Sequence, residues 1–482
     1  MRFHEEAAHD RYDAIVVGSG LGGLTCAALL ARAGRRVLIV ERHDRPGGYA
    51  HAFRRRGYRF DSAVHLVSGC EPVPFEGGGV LHDLLSELGV RERCDFVRVD
   101  PCYRVEWPGM TLDAPCELER FAEAHAERFP REAKGIRGFL EDCLTIRGEA
   151  SRAEEQGAGP LRRPERFPLL LRYRRATLAQ VLGARVEDPA ARAALAALWP
   201  YLGLPPSRVS FLYFATMLTS YVADGAYYCR GSFQAFADAL VAAAVGSGGE
   251  LLLRAPVRRI LVEQGRAVGV LLENGQCVRA PVVISNADAR QTVDELCGAE
   301  HFPARYLNDL GAADLAHETF LYPGPDHEAA HASGLGGAPN WLSLTVPTLV
   351  DPSLAPAGQH LLVLTTLVDG HAGAPWRELK APRTEALLRR AERRLPGLRD
   401  SLRLAEAATP RTMERYTRNR DGAIYGFDVT PAQVGPGRLD NRTPLAGLYL
   451  AGHWTRPGGG VAGVVRSGVR TANLVLGTDQ SA

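Results

Sequence analysis

The rhythm of apolar and polar positions changes along the chain, and each change marks a different kind of element. Between Tyr12 and Glu41 an apolar run, Ala14 to Val17, is followed by a glycine turn and a small-residue segment, Leu21 to Ala33. A second apolar run, Val37 to Val40, then ends in an acid. Short apolar runs bounded by turn residues read as buried strands, so this pattern predicts one complete βαβ unit. From about 117 to 243 the period becomes helical, with amphipathic stretches at Leu118 to Phe129, Ile136 to Glu149 and Phe233 to Val245. These predict a separate, mainly helical layer.

Gly246, Gly248 and Gly249 stop the last of those helices. Glu250 to Arg254, Val257 to Glu263, Ala267 to Leu272 and Cys277 to Ser285 then read as consecutive strands, with a turn at Asn274-Gly275. Further on, a strand at Leu361 to Leu367 and a helix at Arg383 to Arg394 precede a last strand, Gly447 to Ala451, a glycine loop and a final helix. No internal repeat is visible. Gly77 to Gly79 and Gln156 to Pro160 read as exposed loops.

Composition adds limits rather than direction. The 482 residues are 46% hydrophobic and 23% charged, which suits two or three globular domains with sizeable cores. A net charge of +2 argues against a broad nucleic-acid footprint. The nine cysteines are scattered, with no CxxC pair and no Cys/His cluster at ligand spacing, so neither a disulfide scaffold nor a metal site is expected. The N-terminus lacks a signal-like apolar stretch, and nowhere is there an uncharged apolar run of ~18 residues. The expectation is a cytoplasmic protein, with peripheral contact at the inner face of the membrane left open.

The candidate chemistry begins at Gly18, Gly20 and Gly23, a GxGxxG directly after a strand and directly before a helix. The first glycine permits the tight turn, the second lets the backbone approach a diphosphate, and the third lets helix and strand pack closely. Leu21 and Gly22 then open a helix whose N-H groups and dipole favour the phosphates. Glu41 closes the second strand 18 residues after Gly23, placed to accept from ribose hydroxyls and to repel a 2′-phosphate, which favours FAD or NAD over NADP. Arg42, Arg45, Gly47 and Gly48 follow at once, and glycines there let the backbone run beside an extended cofactor.

At this point the chain resembles the phytoene desaturase, carotenoid isomerase and retinol saturase group of flavoproteins. The matching stretches are GSGLGGL (Gly18 to Leu24), ERHDRPGG (Glu41 to Gly48), YRFDSAVH (Tyr58 to His65), YLGLPPSRVSF (Tyr201 to Phe211), GAYYCRGSFQAFADAL (Gly225 to Leu240), VISNADA (Val283 to Ala289) and AGHWTRPGGGVAGVVRSG (Ala451 to Gly468). The resemblance implies an α/β fold: a discontinuous Rossmann-type FAD-binding domain, 10–75, 245–300 and 410–480, joined to a mixed-sheet and helical substrate-binding domain, 76–244 and 301–409. It also implies FAD with Glu41 at the adenosine ribose, Val257 beside adenine, Gly452 and His453 near the ribityl or diphosphate, and Gly460 and Val461 near the isoalloxazine. The N-H groups that open the final helix would stabilise negative charge on the pyrimidine end of reduced flavin.

The chain departs from the group's pattern at three places. His453 and Trp454 stand where many relatives have an acid, Ala63 where isomerase-like and saturase-like members usually have glycine, and Gly231-Ser232 where Gly-Gly is more usual. His65 and Tyr425 are the candidate catalytic side chains: His65 would approach the flavin and Tyr425 would face a substrate tunnel. A histidine beside an apolar strand is more often a hydrogen-bonded core residue, an aromatic in a tunnel is more often wall than acid, and Asp61 better suits fixing a turn than acting as a base.

Only one dinucleotide fingerprint is present, so a second site for NAD(P)H is not expected, and a quinone or O2 is the expected electron acceptor. The leading expectation is desaturation of a hydrophobic isoprenoid or polyene, with hydride passing from a substrate C-H to flavin N5 and a neighbouring proton leaving to a base or solvent. Alternatives on the same fold are a polyene cis-trans isomerase or a C=C saturase using reduced FAD. A different class of alternative is a non-catalytic lipid-binding protein like the GDP-dissociation inhibitors. In the segment Leu161 to Arg175, arginines interleave with Phe167, Leu169, Leu170, Leu171 and Tyr173, a pattern able to rest on anionic headgroups and equally suited to a solvated amphipathic surface.

Overall fold

Apolar runs without alternation need cover on both faces of the strand. β1 (Ala14–Val17) and β2 (Val37–Val40) obtain it: every residue of both is buried, and they pair in parallel with Ala14 opposite Val37. Helix α1 (Leu21–Arg32) connects them. Strands distant in sequence extend the unit. β3 (Glu250–Leu252) pairs with β2, β4 (Val283–Ser285) with β1, and β5 (Leu448–Leu450) with β4, all parallel, in the order β3-β2-β1-β4-β5. The computed structural model describes all residues except 1–5, 74–78, 156–163, 290, 303–318, 336–338, 350, 357–358, 371–375, 396–397 and 478–482. The loops expected at Gly77-Gly78 and at Gln156 to Pro160 lie outside the described residues.

One face of this sheet packs against α1 and the helices Gln234–Gly246 and Val461–Leu476. The other face packs against a three-stranded antiparallel sheet of Val257–Glu263, Arg266–Leu272 and Cys277–Arg279, with Ile260, Val270 and Val278 turned inward. The expected single strand from Cys277 to Ser285 is therefore two. Pro281 cannot donate to a ladder, and the break there lets the first half serve the antiparallel sheet and the second half become β4.

A second region builds on a mixed sheet in the order Val363–Thr365, Leu342–Thr345, Thr319–Leu321, Tyr103–Trp107, Met110–Ala114. Helices Leu118–Arg128, Ala133–Glu155 and Phe211–Asp224 share its core, which contains Trp199, Trp341, Phe139 and Phe214. The helix expected from Arg383 starts earlier, at Trp376, and runs through Pro382 to Arg394.

Within the arginine-rich segment, residues 161–163 lie outside the described part, and Pro168–Tyr173 is a short helix. Phe167 and Tyr173 turn into the core while Arg166, Arg172, Arg174 and Arg175 are exposed. Among the described residues, no helix is long and apolar enough to cross a membrane.

Candidate dinucleotide and substrate site

The carboxyl ends of the parallel strands meet along one edge of the sheet, where open α/β folds bind their ligands. β1 runs into Gly18, whose N-H donates to Val40 O (2.8 Å) and whose φ of +92° favours glycine. A Cβ on Gly20 would stand 2.5 Å from Asn286 Oδ1, and one on Gly23 2.9 Å from Asn286 Cβ. The turn is thus pressed against the residue that follows β4. Asn286 Nδ2 donates to Ala451 O (2.8 Å), tying the end of β4 to that of β5, while its Oδ1 is buried without a partner beside the glycine turn.

β2 ends at Glu41, and the same turn orients this carboxylate. Oε2 accepts from Ser19 N (2.8 Å) and Ser19 Oγ (2.6 Å), and Oε1 accepts from His43 N (2.8 Å). The following loop folds back: Gly47 N-H donates to Ser19 O (2.9 Å), and a Cβ on Gly48 would lie 3.0 Å from Gly20 Cα. Past β5, Gly452 has φ +109° and stands so close to Asn286 that a Cβ would sit 2.5 Å from Nδ2. Gly460 precedes the final helix with open space where its Cβ would point.

These parts border one cavity of about 2060 Å³, well beyond the ~300–1,000 Å³ of a usual small-molecule pocket. Gly18, Gly20, Leu21, Gly22, Glu41 and Arg42 line it, as do Gly47, Gly48 and Val257. Gly452, His453, Gly460 and Val461 line it too, together with both expected catalytic side chains, His65 and Tyr425. Gly23 alone of the expected set stands behind the turn, in helix-strand packing. The crowded glycine cradle, the oriented carboxylate and the open helix start fit an extended flavin dinucleotide.

The profile of the family described as flavin containing amine oxidoreductase matches residues 21–476. The chain belongs to this family. It is 30% identical to prolycopene isomerase 1, chloroplastic, of an Oncidium hybrid cultivar, over 99% of this chain and 86% of the isomerase. It is 28% identical to the neurosporene-forming phytoene desaturase of Cereibacter sphaeroides, over 97% of this chain and 95% of the desaturase. Among solved structures, wild-type putrescine oxidase bound to putrescine superposes with a TM-score of 0.62 at 18% identity, covering 97% of this chain and 99% of that one. The protein is a flavin-dependent oxidoreductase.

Several residues of this flavoenzyme site carried no assigned role in the sequence reading. Ser19 and Asn286 hold the cradle, and Tyr213 Oη donates to Gly459 O (2.9 Å) at the entry to the final helix. Arg438 is buried and donates to the carbonyls of His453 (2.6 Å) and Thr455 (3.2 Å). The quoted VISNADA stretch contained Asn286, but nothing in it announced a contact with Gly20. Asp61 accepts from Tyr228 Oη (2.7 Å) and Phe233 N (2.9 Å), fixing the hairpin end to the start of the 234–246 helix; burial pushes its carboxyl up to about 6. The Nδ1 of His65 lies 2.8 Å from Ala63 O, which sets the ring plane.

His453 is held neutral. Burial, and then the charge of Arg438, lower its pKa from 6.5 to about 3. Its contribution to stability is therefore complete above about pH 6.5 and is lost as pH falls towards 3, because the unfolded chain accepts a proton that the folded one refuses. Each pH unit in that window costs about 1.4 kcal/mol. Thermal melts of wild type and His453→Asn at pH 7 and pH 5 should show the variant losing less on acidification; equal losses would place the ring in a solvated environment.

Proposed function

We propose that this oxidoreductase binds FAD and uses it to desaturate a hydrophobic isoprenoid or polyene chain. The observation that carries the reading is the continuity of the cavity. The space that touches Gly18, Glu41 and Gly460 also runs between Leu361, Leu364, Leu387 and Leu404, a wall suited to an alkyl or polyene chain. FAD, when bound, supplies the redox chemistry, a hydride acceptor at flavin N5.

The chain supplies binding and alignment. The N-H groups of the Gly18–Gly22 turn and the start of α1 would hold the diphosphate, Glu41 the ribose hydroxyls and the Val257 strand the adenine. The first N-H groups of the final helix, from Gly460 and Val461, would stabilise negative charge at the pyrimidine end. The aliphatic walls exclude water and keep the reacting C-H in register. His65 would take the proton from the neighbouring carbon, with Tyr425 beside it as wall. This reading assigns the cofactor to 10–75, 245–300 and 410–480 and the substrate to 76–244 and 301–409, with the correction that the 234–246 helix packs on the cofactor's parallel sheet, and takes O2 or a quinone as acceptor.

A second reading, redox-neutral isomerisation or saturation from reduced FAD, is favoured by the likeness to prolycopene isomerase. Purified protein should be yellow, as flavoproteins are, and should release FAD on heating. Anaerobic addition of a polyene to oxidised protein should bleach the visible band. Turnover that requires prior photoreduction would establish the second reading instead, and a colourless preparation would end both.

Peripheral contact with anionic lipid, if it uses the 164–175 stretch, would be electrostatic, since Phe167 and Tyr173 are committed to the core. Vesicles rich in phosphatidylglycerol should then sediment with the protein at low salt and release it at high salt. Absence of co-sedimentation at low salt would remove this part.

A further inference from the structure

We propose that Tyr213 is a positioning residue for the flavin: its hydroxyl fixes one peptide of the glycine loop 458–460 and so presents the Gly460 N-H to the reduced cofactor. The inference rests on the FAD reading above and adds to it the group that orients this donor. Tyr213 stands on the 211–224 helix, whose positions 213, 216, 217, 220, 221 and 224 line the cavity. That spacing is one stripe of a helix, and Phe214 and Leu218 of the opposite face lie in the core.

Two peptides lead into the final helix. The one between Gly460 and Val461 is held by the helix itself, because Gly460 O accepts from Val464 N (2.9 Å). The one between Gly459 and Gly460 lacks that anchor: no backbone N-H of the described residues reaches Gly459 O, and Tyr213 Oη donates to it instead (2.9 Å). A trans peptide is planar, with its C=O and N-H pointing in opposite directions. Holding the carbonyl on the phenol therefore turns the Gly460 N-H away from it. Gly460 is exposed and lines the cavity, and among the described residues its N-H meets no backbone acceptor.

The loop needs such a holder because of its composition. Reversing a peptide changes ψ of the residue before it and φ of the residue after it, and with glycine at both positions either direction is sterically open. The Cα atoms, by contrast, are confined: a Cβ on Gly458 would lie 2.5 Å from Tyr213 Oη, and one on Gly459 3.0 Å from Tyr425 O. Packing thus sets where the loop runs, and one phenol sets which way its peptide points. Reversed, the peptide would offer a carbonyl oxygen in place of a donor, and that oxygen would repel the charge a flavin gains on reduction. A buried phenol needs an acceptor in any case, but that need selects no particular carbonyl. Thr216 and Ser220 of the same stripe turn back to their own helix, at Leu212 O (3.1 Å) and Met217 O (2.7 Å), whereas Tyr213 reaches across to the loop.

The test is the redox equilibrium of the bound flavin in the purified full-length protein, titrated anaerobically against a dye of known potential. In Tyr213→Phe it should shift at least tenfold towards the oxidised form, which is about 30 mV for a two-electron couple. Loss of packing alone would lower the urea midpoint and leave the potential where it was. Should Tyr213→Phe fail to hold flavin, Gly458→Ala decides: its added carbon drives the phenol off Gly459 O from the loop side, and the same shift is expected. A yellow variant whose potential equals that of the wild type overturns the proposal and leaves the FAD reading intact. A colourless wild type overturns both.

Discussion

Replacing Gly468 with valine is expected to destabilise the protein by about 3 kcal/mol or more and to strip it of flavin, the upper end for overpacking a close contact. A Cβ at this position would fall well inside contact distance of Gly22 O, 2.8 Å from Thr25 Cβ and 3.1 Å from Cys26 N. Two of these atoms belong to the backbone of α1, which cannot rotate away. The converse contact is equally tight, since a Cβ on Gly22 would lie 2.9 Å from Val464 O and 3.0 Å from Gly452 Cα. The crossing therefore sets the distance between two helix starts, one at the glycine turn and the other at Gly460. In the proposed FAD site these address opposite ends of the cofactor, so a shift of the crossing would misplace both. Gly246→Ala is the matched control: it lies in a helix, with nothing within 4 Å of the added carbon, and should be neutral or slightly stabilising. Urea melts and the flavin-to-protein absorbance ratio of both variants decide the matter. A G468V protein as stable and as yellow as the control would show that the crossing does not govern cofactor retention.

That crossing also shows where sequence reading stops. The local code was legible: Ala14 to Val17, the glycine turn and Val37 to Val40 form the strands and helix that their pattern predicts, because each depends on near neighbours. The N-terminal cradle residues were legible for the same reason. Gly468 stood in a quoted stretch, yet its partner is 446 positions away at Gly22, and no periodicity announces a contact of that kind. Asn286 is similar, because its importance comes from β4 lying beside β1, a parallel pairing made over a long crossover. Strand Cys277 to Ser285 was read as one because apolar content continues through it, whereas the proline divides it between two sheets. The mixed sheet of the second region joins strands near 105, 112, 320, 343 and 364. Its 319–321 to 103–107 pairing spans more than two hundred residues, so turn chemistry had no bearing on it.

Arg438→Met should produce the other large effect, a loss of about 2–4 kcal/mol, and the sign depends on which of two opposed terms is larger. The side chain is 2% exposed, and burial lowers its pKa. Removing such a charge relieves a desolvation cost of several kcal/mol per ion. Against this, the guanidinium serves as donor to four carbonyls: His453 (2.6 Å), Thr455 (3.2 Å), Phe427 (3.4 Å) and Tyr425 (3.5 Å). Methionine would leave them buried without a donor, at about 1–3 kcal/mol for each well-formed bond lost. The two short enough to count fully both go to the 453–455 turn, while the two longer ones reach the 425–427 loop; His453 and Tyr425 border the cavity. Arg438→Lys, which keeps the charge with fewer donors, should fall between methionine and wild type. The methionine variant should also lose less stability between pH 7 and pH 5, because the cation that helps to hold His453 neutral is gone and the ring's folded pKa rises towards its unfolded value. Denaturant melts at the two pH values test both parts. A methionine variant more stable than wild type at pH 7 would mean that charge burial outweighs the carbonyl bonds, and an unchanged pH response would remove Arg438 as the second cause of the His453 shift.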